Sequence, residues 1–190
     1  MNDSFYEVVI CFMLYSFIGW LLEVAYAFYE ERRFVNRGIL AGPICPIYGF
    51  GTLLILNIGS LLKLQHPGLL SNIIFIILLT TILEYLTGYI LETFLKVKAW
   101  DYSNEFCNIR GRICLKFSIF WGLLGCFIIY GLHPIVTQFI NEVNEDMKII
   151  AVFMLLGFIL MDMIKAILPR LASMKQLKSR VSLPVHIFKV

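Results

Sequence analysis

Charge is scarce in this sequence. Only 15% of its 190 residues are Asp, Glu, Lys or Arg, against 59% hydrophobic, where water-soluble domains carry about 25% charged. With a mean hydropathy of +0.82, the chain has too little polar material to cover a soluble globule, and nothing in it reads as a nucleic-acid-binding surface. Cysteines are few and unpatterned. Cys11, Cys45, Cys107, Cys114 and Cys126 are odd in number and form no C-x-x-C pair, which favours buried free thiols over disulfides or a metal centre. The three histidines, His66, His133 and His186, show no ligand spacing, and no cofactor is expected. There is no G-x-x-x-x-G-K-S/T loop, no G-x-S-x-G and no H-E-x-x-H. If ATP drives this protein, another chain hydrolyses it. The opening "MNDSFYE" lacks the basic start of a cleaved leader, and the apolar run behind it is longer than a leader needs, so the first run is expected to stay as a span.

What the sequence has instead is long apolar runs. Five approach or exceed the roughly 20 residues that cross a bilayer: residues 5–29, 44–62, 70–95, 113–132 and 149–168. They predict an all-α polytopic membrane protein of about five transmembrane helices, in a single domain over 1–168 with a basic tail over 169–190. Lys and Arg divide unevenly between the two sides. Fourteen fall on the side of the loops near Arg32 and Lys96 and of the tail, and two, Lys63 and Lys148, on the other. The positive-inside rule then places the N-terminus outside and the C-terminus in the cytoplasm. The tail, Arg170 to Lys189, reads as a contact for anionic lipids.

The runs repeat. "GWLLE" (19–23) matches "GYILE" (88–92), and "FVNRGIL" (34–40) is echoed by "FCNIRGRICL" (106–115). Gly38 stands eleven residues before Gly49 of "YG", and Gly111 eleven before Gly122 of "WG". Two parallel-repeated helical hairpins, over 5–64 and 70–132, followed by a fifth helix are therefore expected. Each "GxxxE" puts a glycine and an acid on neighbouring surface of one helix, and a spanning-helix glycine marks close packing. Glu23 and Glu92 are expected to converge near the cytoplasmic side. Glu84, two turns deeper than Glu92, has Tyr15 as its counterpart in the first hairpin.

Buried carboxylates need partners. Arg37, Arg110 and Arg112 are the candidates, Arg37 for Glu23 and Arg110 or Arg112 for Glu92. Pro43 and Pro46 forbid a smooth helix through the first inner loop, so the second helix starts near one of them. The second inner loop offers Trp100 and Tyr102 for the headgroup layer, with Asp101, Asn104 and Asn108 as polar groups. Three readings stand: structural acid–arginine pairs, an anion-binding pocket built from arginines and helix N-termini, and a proton or cation path through Glu84 and Glu92. The substrate-binding candidates are Glu23, Asn36, Arg37, Glu84, Glu92, Asp101, Tyr102, Asn108, Arg110 and Arg112. Asp162 and Lys165 could satisfy each other at i,i+3.

"FMLYSFIGWLLE", "FVNRGILAGPICPIYG", "WDYS" and "FCNIRGRICL…WG" together resemble the bacterial family catalogued as type IV ABC-transporter permeases (CmpB-like), over roughly residues 12–134. The resemblance implies a multi-pass protein of the bacterial cytoplasmic membrane. It puts Glu23, Asn36, Arg37, Gly38, Pro43, Pro46, Tyr48, Gly49, Glu92, Trp100, Asp101, Tyr102, Asn108, Gly111 and Arg112 at motif positions. Ala99 stands where members often carry a second Trp. The expected function is a permease-like transport component, acting as a homo-oligomer or with a separate ATP-binding subunit. The alternatives are a membrane-embedded enzyme acting on lipid headgroups, with Glu23, Glu92 or Asp101 as acid/base groups, and a non-catalytic binding or immunity protein.

Overall fold

A computed structural model describes residues 5–36, 40–61 and 69–181. Among them there is no strand, and the helices form five rods. The first three are α1 (Phe5–Glu31), α2 (Pro46–Leu61) and α3 (Leu69–Ile90), the last extended by a π-helical turn, Leu91–Leu95. The fourth rod is α4 (Leu115–Phe127), a second π turn Ile128–Leu132, and α5 (His133–Glu142); α6 (Glu145–Val181) is the fifth. Residues 5–29, 70–95, 115–142 and 145–169 are long and apolar enough to cross a membrane. The second expected span is shorter: the chain turns through Pro43 and enters the helix only at Pro46, where a first-turn proline lacks no needed N–H. Its sixteen residues reach about 24 Å, short of a roughly 30 Å hydrocarbon layer. The last helix is longer than expected and runs through Pro169 to Val181, so the basic stretch begins as helix; 182–190 lie outside the described residues.

Apolar side chains dominate the perimeter, Leu78, Phe127 and Phe153 among them, while Ser16, Thr52, Asn72, Glu84, Ser118, Lys148 and Asp162 are buried. That inversion suits a hydrocarbon surround, which gives helices no apolar reason to associate and leaves packing and polar contacts to hold them. α1 pairs with α2 and α3 with α4 as two antiparallel hairpins. In the first, Gly49 lies against Ser16 and Phe12, and Gly19 against the Tyr48 ring; a side chain at either glycine would collide. In the second, Gly122 and Gly125 lie against Ile77 and Ile76. α1 also carries the cores that join the rest. Met13 packs with Leu40 and Ile44 beside Leu155 and Ile159 of α6, and Tyr15 with Ile128 and Ile140.

The polar ends are tied down. Asn144 caps α6 by accepting the Asp146 N–H at 2.9 Å, and the buried Lys148 donates to Glu7 at 3.1 Å and Glu145 at 2.8 Å. The partner found for Asp162 is the Gly42 N–H, which both its oxygens accept at 3.0 and 2.9 Å. The fifth rod is thereby fastened to the first inner loop, a link across 120 residues that local spacing does not disclose.

Candidate functional site

The loop from Lys96 to Cys114 is a compact fold of its own. Lys96, Cys107 and Arg110 take left-handed backbone, as does Gly111 at φ +68°, where a glycine bears no steric penalty. The Trp100 indole donates to the Arg112 carbonyl at 2.7 Å. Asp101 accepts from the Ser103 N–H at 3.0 Å and pairs with Lys98 at 2.7 Å. These contacts, the Lys98 bond first and Ser103 next, push its carboxyl down to about 2. The Asn108 amide donates to the carbonyls of Ser103 and Glu105, and its oxygen accepts the Gly111 N–H. The "WDYS…NIRG" residues thus brace a loop whose product is the placement of two side chains, Arg112 and Tyr102.

Arg112 reaches back to α3. Its Nε donates to Glu92 Oε2 at 2.9 Å, Nη2 donates to the same oxygen, and Nη1 donates to Tyr85 Oη at 3.2 Å. The guanidinium also lies over the rings of Tyr85 and Tyr89. Its stem and the Trp100 ring fit against Gly88 at 3.4 Å from a Cβ position, so the glycine one turn before the acid clears the space. The hydrogen bonds it donates, to Glu92 first and then to Tyr85, raise the guanidinium above its already high value. The expected pairing of Glu92 with Arg110 or Arg112 thus resolves to Arg112, and Arg110 is exposed.

Tyr102 turns inward. Its hydroxyl donates to Glu84 Oε1 at 3.1 Å, and Trp121 Nε1 donates to the same oxygen at 3.1 Å. Glu84 is only 4% exposed, and its other oxygen, Oε2, is buried with no partner among the described residues. The Tyr102 ring stacks on Phe117 at 4.6 Å, and the Trp121 ring meets Tyr48 edge-on at 5.4 Å. The Tyr48 hydroxyl donates to Glu23 Oε1 at 2.7 Å. Burial, then the charge and hydrogen bond of Glu84, then the charge of Glu23 hold the Tyr102 phenol well above its ordinary range. Both acids therefore act on one phenol.

The acid brought to Glu23 is Glu84. Glu92 lies eight residues further along α3, about 12 Å down the axis, in a separate cluster with Arg112. The expected meeting of Glu23 with Glu92 is corrected on this point. The reason is register: Gly49 faces Phe12 and Ser16, but Gly122 faces Ile77, whose counterpart in α1 is Val8, so the second hairpin is slid by one to two turns. Asn36 serves the first loop, accepting from Trp20 Nε1 at 3.0 Å and donating to the Ala41 carbonyl at 3.0 Å. Arg37 and Gly38 lie outside the described residues, and with them the expected Arg37–Glu23 pair. Three members of the cluster were absent from the expected site: Tyr48, Trp121 and Phe117. The first two precede the glycines used to align the hairpins, and a polar-capable aromatic at that register was the available signal.

The described residues form an all-helical, multi-pass membrane protein whose acids lie between two hairpins. The model of the family described as "Putative ABC-transporter type IV" matches residues 10–167, and the chain belongs to that family. It is thereby a transport-related membrane protein. No curated protein and no solved structure matches the chain.

Proposed function

We propose that this protein is a permease-like transport component in which Glu23 and Glu84 form a proton- or cation-handling site between two repeated hairpins. The observation that carries the reading is the Glu84 carboxyl, buried, with two donors on Oε1 and, among the described residues, none on Oε2. Two carboxylates linked through the Tyr48–Trp121 ring contact repel when both are charged, and the membrane interior makes an uncompensated charge costly. One positive charge held between them, a proton or a monovalent cation, relieves both. Of the described arginines offered for an anion pocket, Arg112 already engages Glu92 and Tyr85 and Arg110 is exposed, which favours the cation reading over the anion one. Asp101 faces solvent and is held by Lys98 and Ser103, leaving an enzymatic reading without a free acid in that loop.

In this reading the loop end of the bundle faces the cytoplasm, where the basic residues gather, and the tail rests on anionic lipid. Transport work comes from a homo-oligomer or a separate ATP-hydrolysing subunit. Infrared spectroscopy of carboxyl groups in nanodisc-embedded protein tests the site, in sodium, potassium and choline buffers. A shared proton gives a protonated-carboxyl band that Glu84→Gln removes; a cation site gives that band only when choline replaces the metal ion. Ionised carboxylates alone, unchanged across the three buffers, would reject the site.

A further inference from the structure

The end of the bundle opposite the two acids holds a cavity of about 490 Å³. Its walls come from the start of α1, the end of α2, the start of α3 and the junction of α4 with α5. That volume falls within the roughly 300–1,000 Å³ of small-molecule sites. The second π turn, Ile128–Leu132, forms part of the wall, and such turns are frequent at functional sites. The turn carries Tyr130, whose Oη accepts a hydrogen bond from Asn72 Nδ2. Asn72 is 7% exposed, and its Oδ1 is buried with no partner among the described residues. Having accepted from Asn72, the Tyr130 hydroxyl keeps its own proton to donate. The pair thus offers one acceptor and one donor side by side, the combination that a hydroxyl group completes.

The charge of the wall selects further. Its one carboxylate, Glu7, is paired with the buried Lys148, so neither a free anion nor a free cation finds an uncompensated partner. Of the remaining polar lining, Asn57, Thr137 and Asn141 carry no charge, the His133 ring is engaged by the Tyr15 and Thr137 hydroxyls, and most of the rest is aliphatic or aromatic. We propose that this cavity binds an uncharged hydroxylated molecule with an apolar body, a hydroxyl of which donates to Asn72 Oδ1 and accepts from Tyr130. The same chemistry could be presented by the sugar head of a membrane lipid or by a free sugar. This site stands apart from the Glu23–Glu84 pair and does not depend on it.

The test is equilibrium binding of radiolabelled n-octyl β-D-glucoside and of D-glucose to the full chain in nanodiscs, with empty nanodiscs subtracted. Saturable binding of the glucoside, with little of glucose, is the expected result and identifies a lipid-like source; equal binding of both identifies a free sugar. Asn72→Leu and Tyr130→Phe should each weaken binding about tenfold or more, because the first removes the site's acceptor and the second removes its donor and strands the buried Asn72 amide. Should Asn72→Leu fail to fold, judged by helical circular dichroism, Tyr130→Phe carries the test, since it removes only the hydroxyl. No saturable binding of either probe to folded wild type, or unchanged affinity in the folded variants, overturns the proposal.

Discussion

Replacing Tyr102 by Phe asks whether Glu84 carries its charge alone. The substitution deletes one donor to Glu84 Oε1 and keeps the ring that stacks on Phe117, so packing is held nearly constant. A hydrogen bond to a charged group contributes about 1.5–3 kcal/mol, and one between neutral groups about 0.5–1.5 kcal/mol. If one positive charge is shared between the acids, Oε1 behaves as a neutral acceptor and Tyr102→Phe costs about 1 kcal/mol. Glu84→Gln then changes little, because the amide keeps an acceptor at Oε1 and places a donor where the shared proton stood. The coupling between the two sites is small in a double-mutant cycle. If Glu84 is instead an isolated carboxylate, Tyr102→Phe costs about 2–3 kcal/mol, and most of that disappears when Glu84→Gln is already present. The assay is unfolding in dodecyl maltoside micelles titrated with SDS, followed by circular dichroism at neutral pH in choline buffer. A cost above about 2 kcal/mol for Tyr102→Phe, abolished by Glu84→Gln, would refute the shared charge.

Three further outcomes are expected. Arg112→Gln should lower the SDS midpoint, and Glu92→Gln combined with Arg112→Gln should recover most of that loss, because removing both partners strands no charge; a double variant no better than the single would show that the arginine acts through other contacts. Gly49→Ala, whose Cβ would enter the space of Ser16 and Phe12, should cost roughly 1–3 kcal/mol by overpacking, whereas Gly157→Ala meets nothing within 4 Å and should be neutral or stabilising by the same assay. Asp101, held down to about 2, should keep the loop braced above the ordinary Asp value near 3.9, with the brace lost as pH falls through about 2; Lys98→Ala should move its NMR-detected titration upward, and an unmoved titration would assign the shift to Ser103 alone.

Much of this fold is legible in the chain because membrane helices advertise themselves through length and apolar composition. The two hairpins follow from glycine-bearing apolar runs, the start of α2 from Pro46, and the Glu92–Arg112 pair from an acid at a helix end followed by a basic returning loop. What composition leaves open is register. The residues that decide which acid meets which are Phe12, Ser16 and Ile77, apolar or small side chains that carry no chemical signal but set where Gly49 and Gly122 come to rest. Contacts such as Asp162 with the Gly42 N–H join segments with no local relation. The role of the "WDYS" residues was likewise hidden: they suggest an interfacial, chemically active loop, yet Trp100 and Asp101 brace the backbone while Tyr102 alone enters the bundle.

That slide of one to two turns is what makes the two hairpins unlike in chemistry. With identical registers, Trp121 would stand opposite Glu92 as Tyr48 stands opposite Glu23, and two phenol- or indole-held acids would sit at one level. Sliding the second hairpin moves Trp121 to Glu84 and frees Glu92, at the helix end, for Arg112. An acid paired with arginine near the helix end is electrically closed. The acid reached by the slide is buried, meets only neutral donors, and looks across the Tyr48–Trp121 contact to Glu23. In the first hairpin the position equivalent to Glu84 is Tyr15, which instead meets His133 at 3.0 Å, so a second acid there is replaced by a neutral phenol. The asymmetry links one acid from each hairpin through Tyr48 and Trp121, and it is on this pair, rather than on the two acids aligned by sequence, that the proposed cation site rests.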